Sequence, residues 1–133
     1  MSENGYNPMR WDCNKQGCFN KKRRPKIEVF ADCLPGKIAF TDIDGITEVN
    51  GRALVLECKT DPTPIPRGQA IMWHRLTKTG LLTVLCLAGD AETMDVTHCK
   101  WCYKGVWDTT WAEAALDDVK ALIRQWVADS KTW

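Results

Sequence analysis

Asn50 and Gly51 sit between two stretches in which apolar and polar side chains alternate, residues 38–49 before them and residues 52–59 after. Asn-Gly tolerates positive φ at both central positions of a type I′ turn, whose twist matches a two-residue hairpin. The dipeptide therefore predicts a β-hairpin and, with it, a register. Val49 faces Arg52, and counting outward sets Asp44 opposite Glu57 and Asp42 opposite Lys59. On the return strand Leu54, Leu56 and Cys58 share one face, and Ala53, Val55, Glu57 and Lys59 share the other.

This register carries chemistry. Directly opposed residues bring their Cβ atoms to about 4.5–5.5 Å, and two opposed carboxylates destabilise a sheet unless something neutralises them. A divalent cation does so naturally, since Mg²⁺ takes one or two carboxylates together with waters and phosphate oxygens. The Lys59 ammonium beside such an ion could stabilise charge developing on a phosphate or orient an attacking water. The same residues also fit a solvent-facing strand with an acid pair and one salt bridge. Glu-x-Lys is a common tripeptide, and the related Asp118-Val119-Lys120 falls in a predicted helix without consequence. What distinguishes Glu57-Cys58-Lys59 is the apolar run before it, the turn-set register and the opposed Asp44.

Further along, residues 60–66 hold three prolines and read as a loop. Pro66 can open a helix, because the first turn has no use for its missing N–H. Ile71, Met72, Trp73 and Leu76 supply the helical stripe, which ends at Gly80. Residues 81–88 are nearly all apolar, as in a strand buried on both faces. Thr110 and Glu113 have capping-box spacing, and Ala114, Ala115, Val119, Leu122, Ile123, Trp126 and Val127 mark a C-terminal helix over residues 110–129. Residues 26–32 suit a strand or a short helix, stopped by Pro35-Gly36. Residues 1–26 and 89–109 read as irregular, cysteine-containing segments. The whole predicts one α/β domain over residues 1–133: a mixed central sheet with flanking helices and a core over residues 27–88.

With 44% apolar and 26% charged residues among 133, the composition is that of a globular chain, which sets aside disordered and fibrous classes. The net charge is only +1, yet five of the six residues from 21 to 26 are basic. Lys21, Lys22, Arg23, Arg24 and Lys26 form an arm suited to phosphate contacts, or a solvated charge run. No apolar run reaches the roughly 18 residues of a membrane span, and no signal-peptide core is present. The expectation is a cytoplasmic protein without a membrane partner. There the seven cysteines favour metal ligation or burial over disulfides. Cys13-x4-Cys18 and Cys99-x2-Cys102 could together hold a structural Zn²⁺, with His98 as a substitute ligand, stapling the two irregular segments; otherwise they are buried thiols. Cys33, Cys58 and Cys86 read as core. Trp101, Trp107 and Trp111 cluster near the second pair, to pack on the sheet or to stack on bases.

On Asp44 in Asp42-Ile43-Asp44-Gly45-Ile46, Glu57 and Lys59 in Leu54-Val55-Leu56-Glu57-Cys58-Lys59, and Gln69 in Arg67-Gly68-Gln69, the chain resembles the PD-(D/E)xK nuclease superfamily. The resemblance covers about half the chain and implies a restriction-endonuclease-like core, to which the cysteine pairs, if they hold zinc, would add a small stapled extension. It also implies Mg²⁺ or Mn²⁺ on Asp44, Glu57 and the Cys58 carbonyl. Lys59 would serve the attacking water or the scissile phosphate, and Gln69 would position water or backbone. Asp42 is the competing metal ligand, though Asp44 is preferred because it opposes Glu57. Glu28 is the candidate for the extra acidic residue that family members often carry on an N-terminal helix. The chain is also similar to short proteins of tailed bacteriophages, which would place it in a host cytoplasm.

The function so implied is metal-dependent DNA hydrolysis on a branched or single-stranded substrate, with a homodimer engaging two strands. The alternative is a non-catalytic, zinc-stabilised module that binds nucleic acid or a host protein, for instance as an antagonist of host defence.

Overall fold

The computed structural model describes residues 27–133, and these fall into two units divided after Asp42. Within the first, residues Ile27–Cys33 form a 3-10 helix, so a helix rather than a strand precedes Pro35-Gly36. Phe30 and Phe40 meet edge to face, with ring centroids 6.3 Å apart. The basic arm of Lys21, Lys22, Arg23, Arg24 and Lys26, and the pair Cys13 and Cys18, lie outside the described residues.

The second unit runs β1 (Gly45–Val49), β2 (Arg52–Lys59), α1 (Arg67–Leu76), β3 (Leu82–Asp90), β4 (Asp95–Tyr103), β5 (Val106–Trp107), β6 (Ala112–Glu113) and α2 (Leu116–Lys131). Its strands form one mixed sheet in the order β1-β2-β3-β4-β5, with β6 also pairing with β4. Only β2 and β3 run parallel, which demands a crossover, and α1 supplies it.

The hairpin turn forms as its dipeptide dictates, with φ of 55° at Asn50 and 84° at Gly51. The register is the expected one, from Val49 opposite Arg52 to Gly45 opposite Leu56. β3 lies at the centre of the sheet, and its residues 83–88 are all buried. Two half-cores result from strand alternation. Leu54, Leu85, Leu87, Cys99 and Val96 pack with Val119 and Trp126 of α2, while Val55, Val84, Cys86 and Cys102 pack with Trp73 of α1.

Three expectations are corrected. The first strand begins at Gly45, not near residue 38, because the Asp44 side chain takes the Cys58 N–H that a continuing ladder would have used. Residues 89–109 are not irregular but form β4 and β5. Their polar side chains hide an alternation in which Val96, Cys99 and Trp101 join one half-core and Cys102 the other. Nor does a helix begin at residue 110. Ala112 and Glu113 pair with the edge of β4, and α2 starts only at Leu116, where Asp118 accepts a hydrogen bond from the Ala115 N–H at 2.8 Å. The Thr110–Glu113 capping box is therefore not made.

Gly89 accommodates the bulge where the β3–β4 pairing shifts register. Its φ is +146°, and a Cβ there would collide with the Asp95 carbonyl.

Candidate functional site

The C-terminal end of β2 collects the chemistry. Glu57 and Lys59 share the face of Val55, which α1 covers, so this is not a solvated strand surface: Glu57 is only 6% exposed. α1 begins two residues before Gln69, directly after the proline-rich loop, and this puts Gln69 in its first turn, where the amide reaches the end of the strand. The Lys59 ammonium donates to Gln69 Oε1 at 2.6 Å, joining two residues ten positions apart that were expected to work together.

Asp44 lies one residue before β1. Its Oδ2 accepts the Cys58 N–H at 2.7 Å, so the carboxylate stands in for the backbone carbonyl that would have extended the ladder. In a strand the N–H and C=O of one residue point to the same edge. The Cys58 carbonyl is therefore directed toward β1, beside the Asp44 carboxylate, while the Cys58 side chain takes the opposite face from Glu57. Carboxylate and carbonyl oxygens are hard donors, and the set suits Mg²⁺ or Mn²⁺ and not a thiophilic ion. Among the described residues no group of three or more His, Cys, Asp or Glu side chains is arranged to hold a metal. Any ion here would complete its shell with the backbone carbonyl, waters and substrate oxygens.

The acidic character of this end is felt by the thiols around it. Burial, with Asp44 and Glu57 adding to it against an opposing Lys59, pushes the Cys58 thiol up to about 11. Burial and then Glu57 push Cys86, its neighbour on β3, up to about 12. Both stay protonated at neutral pH and are unfit as nucleophiles.

No protein-family model, curated protein or solved structure matches the chain.

Asp42 and Glu28 belong to the first unit; the ladder that would have set Asp42 opposite Lys59 ends at Gly45. Cys99 and Cys102 do not form a ligand pair. Three residues apart on β4, they point to opposite faces, one into each half-core, and burial raises both thiols. His98 hydrogen-bonds Thr97 Oγ1 at 2.9 Å. Trp107 and Trp111 serve packing: their indole N–H groups donate to the carbonyls of Ala70 at 3.0 Å and Thr63 at 2.9 Å, tying β5 to α1 and the β6 approach to the proline loop.

One residue escaped the sequence reading. Arg52 heads the stripe that continues with Leu54 and Leu56, and it is 6% exposed. A charged residue at an inward position of an apolar stripe was the available signal.

Proposed function

We propose that the second unit is a metal-dependent phosphodiesterase acting on DNA, with Asp44, Glu57, Lys59 and Gln69 as its working residues. The observation that carries this reading is the Lys59–Gln69 hydrogen bond at the end of the strand that also carries Glu57, with Asp44 held against Cys58 at that same strand end.

In this reading Asp44, Glu57 and the Cys58 carbonyl hold the cation, which when bound supplies Lewis-acid polarisation of a phosphate oxygen and a more acidic water. The Lys59 ammonium offers N–H donors to the non-bridging oxygens, whose charge grows as water adds to phosphorus and the bond to the leaving oxygen breaks. Gln69 fixes the long Lys59 side chain in one rotamer, so that little order remains to be imposed at the moment of reaction. Burial of Glu57 keeps its carboxylate in place and strengthens its attraction for a cation. A restriction-endonuclease-like relationship accords with a hairpin followed by a crossover helix and a parallel strand. A second copy of the chain would let so small a unit engage two strands of a branched DNA.

The test is cleavage of supercoiled, linear, single-stranded and four-way-junction DNA with Mg²⁺ or Mn²⁺, wild type beside Glu57→Ala. Metal-dependent cutting lost in the variant supports the reading. Cutting that survives in the variant, or no cutting on any substrate, overturns it.

A second reading has two contacts in its favour. Asp44 already closes the strand end through Cys58, as a purely structural cap would, and Lys59 is already satisfied by Gln69. A non-catalytic binding module would keep both contacts, bind DNA or protein, and be indifferent to Glu57→Ala.

A further inference from the structure

The opposite face and opposite end of β2 carry a second feature. An open pocket of about 490 Å³ lies between the sheet and α2, walled by Trp101, Tyr103, Trp126 and Trp133, with Arg52 and Thr83 at its floor. Such a volume is ordinary for a small-molecule site.

Its polar groups are unusually placed. The Arg52 guanidinium lies 5.4 Å from the Tyr103 ring centroid and 5.7 Å from those of both Trp126 and Trp133. It donates through Nη1 to Ser130 Oγ at 3.1 Å and through Nε to the Gly80 carbonyl at 3.4 Å. No carboxylate among the described residues forms an ion pair with it. Two further groups are orphaned: Thr83 Oγ1 and Trp126 Nε1 are buried without a hydrogen-bond partner among the described residues. Thr83 is 2% exposed and Trp126 is 6% exposed, so bulk water does not satisfy them. Asp129, whose Oδ1 accepts from Gln125 Nε2 at 2.8 Å, adds an acceptor at the same wall.

We infer that this pocket binds a nucleobase. A flat heteroaromatic ring matches the indole and phenol walls and the guanidinium plane, on which bases stack. Its ring nitrogens and carbonyls accept from Trp126 Nε1 and from the unused guanidinium N–H groups. Its exocyclic amino group donates to Thr83 Oγ1 or to Asp129. An aliphatic ligand would leave these groups orphaned, and a bare anion would leave the aromatic walls unused and meet Asp129. The base can belong to a free nucleotide or to an unpaired position in a strand; the recognition chemistry is shared. The pocket is separate from the Glu57–Lys59 end, and its occupation depends on neither metal nor hydrolysis.

The experiment follows the tryptophan indole N–H resonances of the full chain by NMR, without metal. The titrants are the four common nucleoside monophosphates, ribose 5-phosphate and a short single-stranded oligonucleotide. Saturable shifts of the Trp126 indole signal with at least one nucleotide, and none with ribose 5-phosphate, are expected. Trp133→Leu, at a half-exposed position, should weaken binding by about fivefold or more through lost stacking. Thr83→Val, nearly isosteric, should weaken it and change the order of preference among the bases. Tighter binding of the oligonucleotide than of any mononucleotide assigns the base to a strand; equal binding assigns it to a free nucleotide. Absence of saturable shifts, equal response to ribose 5-phosphate, or wild-type affinity in both variants overturns the inference.

Discussion

Lys59 and Gln69 meet at 2.6 Å although one ends a strand and the other lies in the first turn of the following helix. The contact makes the short proline-rich connection a positioning device: it sets where α1 starts and hence which side chain reaches the ammonium group. On the proposed function, Gln69→Ala should leave fold and thermal midpoint nearly unchanged and slow metal-dependent cleavage by about tenfold, through misplacement of Lys59. Lys59→Ala, which removes the charge itself, should cost about 10²-fold or more. Circular dichroism and single-turnover cleavage of the two variants side by side provide the check.

Asp44 has a structural task and a proposed chemical one, and two substitutions separate them. Asp44→Asn keeps an oxygen that can accept the Cys58 N–H, so stability should hold within about 0.5 kcal/mol, while metal-dependent cutting is lost. Asp44→Ala also removes the acceptor and should cost about 1 kcal/mol in denaturant unfolding. Equal activity of wild type and Asp44→Asn would remove this carboxylate from the metal site.

The raised thiols predict an alkaline weakness. Cys58 at about 11 and Cys86 at about 12 hold their protons more tightly in the folded state than at the ordinary value of 9.0. Above that ordinary value the unfolded chain releases protons that the folded chain keeps, so stability must fall as pH rises. The contribution is complete below pH 9.0 and is lost progressively as pH climbs through about 11 and 12. Urea unfolding at pH 8, 9 and 10 should show midpoints that decline above 9, and Cys86→Ala should flatten that slope while lowering stability at every pH. Native alkylation of both thiols at pH 8 should be far slower than in urea.

Gly89→Ala should be among the most damaging small substitutions. The backbone φ of +146° excludes a side chain, and the added Cβ would strike the Asp95 backbone. A loss of about 2 kcal/mol or more is expected, with the β3–β4 pairing disturbed from the bulge outward. Hydrogen exchange of the Val96 and His98 amides reads the disturbance directly.

Much of the hairpin that carries the candidate residues could be read before the fold was known, because Asn50-Gly51 dictates a local geometry and a two-residue turn sets the register as far as Gly45. A nearly unbroken apolar run exposed the doubly buried β3. Where tertiary pairing decides, sequence was a poorer guide. β4 alternates weakly because it faces a helix on each side with His98 and Lys100 interspersed, so the cysteines at 99 and 102 resembled a metal pair when they are neighbours on opposite faces. Thr110 and Glu113 have the spacing of a cap, but an open sheet edge captured Ala112 and Glu113 instead. Asp44 ended its own strand through a side-chain hydrogen bond that no alternation pattern reveals. The cage around Arg52 draws on four separate elements, and only the finished packing brings them together.

β2 presents Arg52 to one layer and Glu57 and Lys59 to the other, with roughly 17 Å of rigid backbone between Arg52 and Glu57 at strand rise. A slip of a single residue in its pairing would exchange the two layers entirely: Glu57 would enter the aliphatic half-core and Leu56 would stand where the carboxylate belongs. The chain thus has no partly correct alternative that keeps one of these sites and forfeits the other. Insertions at the Asn50-Gly51 turn should consequently be tolerated only in forms that restore the original pairing, and a library of turn-length variants should divide sharply between native-like molecules and insoluble ones.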